Sequence, residues 1–180
     1  VYAFLNSWRS TLITALSRLR LAVASCQQFE HGYYNAYRRM LADELDLIVH
    51  VGDSRAYLFR AGNLHRLTRD HTYAQMLVDC GRLDASEVAS SGVRHVLTNA
   101  LGGSSEHVDV DVDLLCLENG DRLLLCSDGL TKHVSDEKIA ERLRAMTSAK
   151  QVCEQLLADA MEGGGSDNIT LIAARAPIAA

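Results

Sequence analysis

Proline is almost absent from this sequence of 180 residues: Pro177 is the single example, and no tract is rich in serine and glycine. Both absences argue against flexible linkers and disordered segments. Apolar residues make up 48% of the chain and charged residues 23%, an ordinary balance for a globular protein. We therefore expect a single domain over residues 1–180, long enough to bury a substantial core.

Long hydrophobic runs are also missing. The most apolar stretch near the N-terminus, residues 12–24, is interrupted by Arg18 and Arg20, so it is too short and too charged to span a bilayer. It carries no signal-peptide cleavage pattern either. The sequence therefore predicts no membrane partner and a cytoplasmic location.

Cysteine and histidine patterns exclude the common disulfide and zinc frameworks. The five cysteines are widely spaced and include no C-x-x-C pair, so we interpret them as reduced thiols of a cytosolic chain. The seven histidines include no pair at helical metal-binding spacing, which argues against zinc. No G-x-S-x-G segment or reactive-cysteine setting supports covalent catalysis. The net charge of -5 argues against nucleic acid as a partner and suits a protein that holds cations.

Hydrophobic periodicity divides the chain into a helical N-terminal segment, residues 1–44, and a mixed core, residues 45–175. In the first part we expect helices over 7–24 and about 30–44. In the core we expect strands over 45–51, 56–59, 64–67, 107–114, 122–127 and 169–175, and helices over 73–80, 84–89, 135–145 and from 148 to just before 163. Because hairpins dominate the strand pairing, the expected fold class is α+β with largely antiparallel sheets.

The stretch at 107–114 alternates strictly between apolar and acidic residues. Val108, Val110, Val112 and Leu114 stand on one side of an expected strand, and aspartates stand on the other. This alternation predicts a half-buried strand with its valines against the core.

Three short turns share one design, in which an aspartate stands between a strand and a glycine. They are Val51-Gly52-Asp53-Ser54, Cys126-Ser127-Asp128-Gly129 and Gly165-Ser166-Asp167-Asn168. If their strands are neighbours in one sheet, the three carboxylates converge at its edge and repel each other unless a cation lies among them. Ligands that are all oxygen favour Mg²⁺ or Mn²⁺. Two such ions about 3.5–4 Å apart can activate a water for in-line attack at phosphorus.

Five segments extend this pattern along the chain. They are VGDSRAYLFR (51–60), LTRDH (67–71), LTNALGG (97–103), GDRLLLCSDGL (120–130) and GGGSDNIT (163–170). In residue type, order and approximate spacing they resemble the metal-dependent, type 2C protein serine/threonine phosphatases, over roughly residues 45–175. One such segment alone would be a weak signal, whereas five in order identify the chain as a member of that family.

The resemblance implies a sandwich of two antiparallel sheets between pairs of helices, an α-β-β-α arrangement, with two or three Mn²⁺ or Mg²⁺ ions at one end. It implies that metal-activated water attacks phosphoserine or phosphothreonine without a phosphoenzyme intermediate. The implied partners are a phosphoprotein substrate and an opposing serine/threonine kinase in signalling.

The same resemblance assigns roles to residues of the three turns. Asp128 and Asp167 match the family's metal ligands, and Asp53 matches an aspartate that helps to hold a third, weaker ion. Asn168 would orient Asp167. Gly129 lets the backbone turn away after the strand that ends just before Asp128.

The family's first metal-binding segment, D-G-x-G-G, is missing, and so is the upstream arginine that holds the substrate phosphate. The chain has no aspartate before Asp43 and begins at Val1 rather than methionine. We therefore expect that the N-terminal strands of the fold and the bridging aspartate belong to an upstream part of a longer product. On its own this chain should bind metal weakly or partially and turn over substrate poorly. The alternative is a non-catalytic, phosphatase-like module that binds a partner.

Overall fold

The structure is a computed structural model that describes residues 2–4, 15–16, 21–22, 46–101 and 108–176. Its strands are β1 (Tyr2–Phe4), β2 (Ala15–Leu16), β3 (Leu21–Ala22), β4 (Asp46–His50), β5 (Arg55–Arg60), β6 (Asn63–Arg66), β7 (Asp111–Leu115), β8 (Arg122–Cys126) and β9 (Leu171–Arg175). Its α-helices are α1 (Tyr73–Asp79), α2 (Asp128–Thr131), α3 (Asp136–Arg144) and α4 (Ala149–Glu162), and a 3₁₀ helix spans Ala85–Ser90. None of the helices in these ranges is long and apolar enough to cross a bilayer.

The main sheet has the strand order β1-β9-β8-β5-β6, and every neighbouring pair is antiparallel. Its central strand, β8, is an unbroken apolar run in which residues 123–126 are all buried. Such a run needs cover on both faces of the sheet, because successive side chains point to opposite sides.

Helices α3 and α4 cover one face of the main sheet. Leu124 of β8 and Tyr57 of β5 form a cluster there with Ile139, Leu143 and Leu156 of the two helices, and all five side chains are fully buried. A serine caps the N-terminus of each helix. Ser135 accepts a hydrogen bond from Lys138 N–H at 3.3 Å, and Ser148 accepts one from Gln151 N–H at 3.1 Å.

The opposite face of the main sheet packs against a second antiparallel sheet formed by β4 and β7. Ile48 of β4 is buried with Ala56 and Leu125 of the main sheet, and Leu115 of β7 packs against them. The described residues thus form helix, sheet and sheet layers, which confirms the expected α+β class with two antiparallel sheets. The core strands and helices expected from the sequence are confirmed with ends that differ by one or two residues, except for the strand at 107–114.

The helix expected over residues 7–24 is wrong at the positions that the structure describes there. Residues 15–16 and 21–22 form the antiparallel pair β2–β3, and residues 2–4 form an edge strand beside β9. The periodicity of a short apolar stretch is compatible with both a helix and a strand. Its pairing with the rest of the fold determines which of the two forms. The remainder of that helix, and the one expected over 30–44, lie outside the described residues.

The expected strand 107–114 begins only at Asp111, and the predicted burial of its valine and leucine side is wrong, because residues 111–114 are all exposed. In the register of β7 with β4, Ile48 stands opposite Asp113 and Val49 opposite Val112. Directly opposed residues share a face, so the aspartates lie on the side of the buried Ile48 while Leu114 on the other side is 64% exposed. Alternation fixes which residues share a face but not which face meets the core.

Candidate metal centre

The topology brings the three aspartate turns to one end of the main sheet. Cys126, the last residue of β8, pairs with both Arg55 at the start of β5 and Leu171 at the start of β9. The turn before β5, the turn after β8 and the turn before β9 therefore meet at that end. They contain Asp53, Asp128 and Asp167 in the same order.

Ser127 joins two of these turns directly. Its N–H donates to the Thr170 carbonyl at 2.9 Å, and its hydroxyl accepts from Thr170 N–H at 3.0 Å. The same hydroxyl donates to the carbonyl oxygen of Asn168 at 3.1 Å. The segments that carry Asp128 and Asp167 are therefore held together by the backbone and the hydroxyl of Ser127.

Gly129 makes this close approach possible. A Cβ atom at this position would lie 2.3 Å from the carbonyl oxygen of Asn168. No real Cβ tolerates that distance, so any side chain at residue 129 would push the two turns apart. Glycine is thus required at position 129 because a side chain there has no space, and not only because the backbone turns there.

Two of the aspartates share one cation in the structure, the ammonium of Lys132. Lys132 Nζ lies 2.6 Å from Asp128 Oδ2 and also contacts Asp167 Oδ2. The second oxygen of Asp167, Oδ1, accepts the Asn168 N–H at 2.7 Å. The hydrogen bond from Lys132 and then that from the Asn168 backbone hold the pKa of Asp167 below its usual value.

Asp53 lines the same cleft as Asp128 and Lys132. Burial, followed by the charges of Asp128 and Asp70, raises the pKa of Asp53 to about 6. A carboxylate that is crowded by like charges in this way gains from a nearby cation. This is the electrostatic condition that a divalent ion relieves.

An ion pair in the lining of the cleft fixes the start of β5. Arg55 donates to both carboxylate oxygens of Asp70, with Nε–Oδ1 at 3.0 Å and Nη2–Oδ2 at 2.6 Å. Its Nη1 also donates to the Tyr57 hydroxyl at 3.3 Å, and that hydroxyl donates to Asp136 at 2.9 Å. Asp70, from the LTRDH segment, thus neutralises the arginine of the GDSR segment.

His71 clamps the loop that carries Asp53. Its backbone N–H donates to the Gly52 carbonyl at 2.8 Å, and its Nδ1 accepts the Gly52 N–H at 3.3 Å. Because Nδ1 accepts, the neutral ring carries its proton on Nε2, which lies 2.9 Å from Asp111 Oδ2. The loop is thereby tied to β7 of the second sheet.

His50, His71 and Asp111 also offer ligand atoms within 4.8 Å of one another, a grouping that can hold a metal ion. The hydrogen bonds of His71 oppose this use, since its Nε2 proton already faces Asp111. Among the described residues, Asp53, Asp128 and Asp167 do not together reach this spacing, whereas Asp128 and Asp167 converge on Lys132. Their carboxylate oxygens are the donors that Mn²⁺ and Mg²⁺ prefer. The two carboxylates that converge on the lysine ammonium already hold a cation.

The cleft in front of these carboxylates has a volume of about 370 Å³. Besides Asp53, Asp128 and Lys132, its lining includes basic side chains, namely Arg55, Arg66, Arg94 and His95. A lining that combines acidic and basic side chains suits a divalent ion beside a phosphate group.

Sequence reasoning missed Lys132 and the pairing of Arg55 with Asp70. The signal for Lys132 was its spacing: it stands four residues after Asp128, where a helical turn brings two side chains to the same face. The signal for the ion pair was the LTRDH segment, which the resemblance includes without a role for Asp70.

Two family models match the chain. The model described as "Stage II sporulation protein E (SpoIIE)" matches residues 83–177, and the model described as "PhoD-like phosphatase" matches residues 21–78. The first match covers more than half of the chain and contains both Asp128 and Asp167. The second is shorter and contains Asp53.

Curated relatives are bacterial protein phosphatases. The chain is 42% identical over 127 residues to the serine/threonine protein phosphatase PstP of Mycobacterium tuberculosis, covering 71% of this chain and 24% of PstP. It is 31% identical over 179 residues to the protein phosphatase PhpP of Streptococcus pneumoniae, covering 92% of this chain and 72% of PhpP. The chain thus spans about a quarter of the length of PstP.

Solved structures agree with the sequence relatives. The serine/threonine phosphatase PstP/Ppp of M. tuberculosis has a TM-score of 0.70 at 39% identity, covering 75% of this chain and 56% of that one. The catalytic domain of PstP in complex with two manganese ions has a TM-score of 0.61 at 38% identity, covering 73% and 54%.

The layered fold, the acidic centre and these likenesses define one class, that of enzymes that remove phosphate from protein serine and threonine side chains with the help of metal ions. The chain belongs to the metal-dependent, type 2C protein serine/threonine phosphatase family.

Proposed function

We propose that this chain carries the metal centre of a Mn²⁺- or Mg²⁺-dependent phosphatase that hydrolyses phosphoserine and phosphothreonine in phosphoproteins. The observation that carries the proposal is the convergence of Asp128 and Asp167 on one cation, with Asp53 lining the same cleft. Its biological setting would be cytoplasmic signalling, in opposition to a serine/threonine kinase. The thiols of Cys80, Cys116 and Cys126 are consistent with a reducing compartment.

In this proposal Asp128 and Asp167 hold the principal ions and Asp53 holds a further, weaker one. Divalent ions bound there supply an activated water and neutralise the charge of the phosphoryl group. The chain's own residues position these ligands. Ser127 joins the two turns, the Asn168 N–H fixes the rotation of the Asp167 carboxylate, and His71 holds the Asp53 loop.

Mn²⁺ is the ion we expect to bind more tightly. Mg²⁺ demands near-ideal octahedral geometry and gives up its waters reluctantly, so it needs several fixed oxygens. The sequence offers two principal ligands where the family uses a third from D-G-x-G-G. Manganese is also the ion in the solved complex of PstP, a relative of this chain.

A second candidate is a non-catalytic module that binds a partner protein. The ion pairs of Lys132 with Asp128 and Asp167 favour it, because they neutralise the acidic centre with a side chain of the protein itself. A module of this kind would keep its fold and its cleft without any divalent ion.

The experiment that separates the two candidates is a calorimetric titration of the 180-residue chain with Mn²⁺, together with hydrolysis of a phosphothreonine peptide. We expect weak Mn²⁺ binding, abolished by Asp128→Asn and Asp167→Asn, with slow turnover that depends on Mn²⁺. The matched control is Glu154→Gln, an exposed acidic residue of α4 that pairs with Lys150.

Mn²⁺ binding that survives both aspartate variants would contradict the proposed centre. A complete lack of binding would favour the non-catalytic module. Hydrolysis at the ordinary rates of the family would show instead that two principal carboxylates suffice, against our expectation of poor turnover.

A further inference from the structure

We infer that Lys132 is an internal competitor of the metal: its ammonium group occupies the carboxylate oxygens that a divalent ion must use, and it thereby sets the metal affinity of the centre. The inference rests on the metal centre proposed above. It assigns to Lys132 a role in tuning that centre, separate from the roles of the carboxylates.

The local structure places Lys132 where it must meet the ligands. Helix α2 is a single turn that begins at Asp128, and the Lys132 N–H closes it by donating to the Asp128 carbonyl at 2.9 Å. Residues four apart on a helix are neighbours on its surface. The lysine side chain is only 19% exposed, which is unusual for this residue type unless its charge is paired.

The contacts leave little room for Lys132 and a metal ion at once. Of the two oxygens of Asp167, Oδ1 accepts the Asn168 N–H and Oδ2 contacts Lys132 Nζ. An ion bound through Asp167 therefore takes Oδ2 from the lysine. Asp128 also gives its Oδ2 to the same ammonium, at 2.6 Å. Metal binding through these two Oδ2 atoms would break both contacts, and the displaced charge would then stand beside a divalent cation.

An ordinary surface ion pair would behave differently, because a lysine that swings freely into solvent costs a metal almost nothing to displace. Competition makes two predictions of opposite sign for a neutral residue at position 132. Metal affinity rises because the competitor is gone, and stability without metal falls because two carboxylates lose their counter-charge. If Lys132 had only a structural role, replacing it would lower both the metal affinity and the stability without metal.

The test compares Lys132→Met with the unchanged chain in two measurements: calorimetric titration with Mn²⁺ alone, and thermal unfolding in a metal chelator. We expect the Mn²⁺ dissociation constant to fall about tenfold, since two partly exposed ion pairs no longer oppose binding. In the chelator we expect the melting temperature to fall by about 2–4 °C. The conservative variant Lys132→Arg keeps the charge and should keep an affinity close to that of the unchanged chain.

The matched control is Lys138→Met, because Lys138 is a lysine of α3 that pairs with Glu141 and not with the centre. It should leave Mn²⁺ affinity unchanged. If Lys132→Met folds poorly, Lys132→Gln repeats the titration with a shorter, polar side chain.

Each result decides between the inference and the function on which it rests. If the unchanged chain binds Mn²⁺ through Asp128 but the neutral variants bind it no more tightly, the inference is overturned and the proposed centre stands. If the unchanged chain and the neutral variants all fail to bind, both fall. Binding that appears only in the neutral variants supports the inference in its strongest form.

Discussion

At the scale of single residues, the centre depends on positions whose chemistry is set by what lies beside them. Ser127 and Gly129 are not among the proposed metal ligands, yet they fix the separation of the turns that carry Asp128 and Asp167. Of the residues around the centre, the sequence resemblance could predict Asp128, Asp167 and Asn168 because they stand in recognisable strings. It could not predict Lys132, whose partner Asp167 lies 35 residues away and is brought near only by the fold.

Gly129→Ala is the sharpest prediction at this scale. The new Cβ would overlap the Asn168 carbonyl oxygen, so we expect a loss of about 1–3 kcal/mol in the free energy of unfolding. Urea denaturation of the metal-free chain measures it. Gly92→Ala is the control, because a Cβ there meets no atom within 4 Å. Equal stability of the two variants would contradict the close approach of the turns.

At the scale of elements, the strands of the core other than β7 were predictable, and the short N-terminal ones were not. The apolar run of β8 predicts a strand that is covered on both faces of the sheet, and its four consecutive buried residues have that position. The strand at β7 has a clear alternation but its burial depends on the register with β4, which the sequence does not contain. The pair β2–β3 replaced an expected helix for the same reason, since pairing partners remote in sequence decided it.

The register of β7 predicts how its side chains contribute to stability. Leu114→Ala should change the free energy of unfolding by less than about 0.5 kcal/mol, because Leu114 is 64% exposed. Leu124→Ala, in the fully buried core of the main sheet, should cost about 2–5 kcal/mol. Guanidinium denaturation of both variants compares them. A large loss for Leu114→Ala would restore the original prediction that the valine and leucine side of β7 faces the core.

The start of β8 carries a prediction about pH. Burial alone would raise the pKa of Asp121, but hydrogen bonds from Arg60 and from the Glu118 N–H outweigh it and hold that pKa below its usual value. A carboxyl group whose pKa is lower in the folded than in the unfolded state stabilises the protein at pH values above the unfolded-state pKa. This stabilisation is lost as the pH falls through the folded-state pKa.

We therefore expect the stability of the chain to decline below about pH 4. The variant Asp121→Asn should show a smaller decline, and at neutral pH its free energy of unfolding should be lower by about 1–3 kcal/mol. Thermal unfolding between pH 2.5 and 7 measures both effects. Asp84→Asn is the comparison, because the pKa of Asp84 is also lowered, by Ser86, at a fully exposed position. A pH dependence that is unchanged by Asp121→Asn would contradict the prediction.

At the scale of the whole molecule, the packed layers of helix and sheet place the aspartate turns at one end of the main sheet, beside a cleft. The fold class was predictable because hairpins, caps and apolar runs agree with one another along the core. The charge of the cleft was not, because Arg94 and His95 lie far from the three aspartates in sequence and only the fold brings them into one lining.

Metal addition tests the molecule as a unit. A ligand that binds only the folded state raises its stability by mass action, so millimolar Mn²⁺ should raise the melting temperature of the chain. The rise should disappear in Asp167→Asn and persist in Glu154→Gln. Differential scanning fluorimetry across a Mn²⁺ series measures it, and an equal rise in both variants would mean that the ion binds elsewhere.

The three hydrogen bonds of Ser127 have a consequence for ion choice. Since they join the two turns through Ser127, the separation of the backbones that carry Asp128 and Asp167 is set before any ion arrives. A preset gap discriminates by radius: Mg²⁺, at about 2.0–2.1 Å from its oxygens, and Ca²⁺, at about 2.3–2.6 Å, cannot both be accommodated equally well. Rejection of the larger ion would then depend on Ser127, a residue outside the proposed ligands.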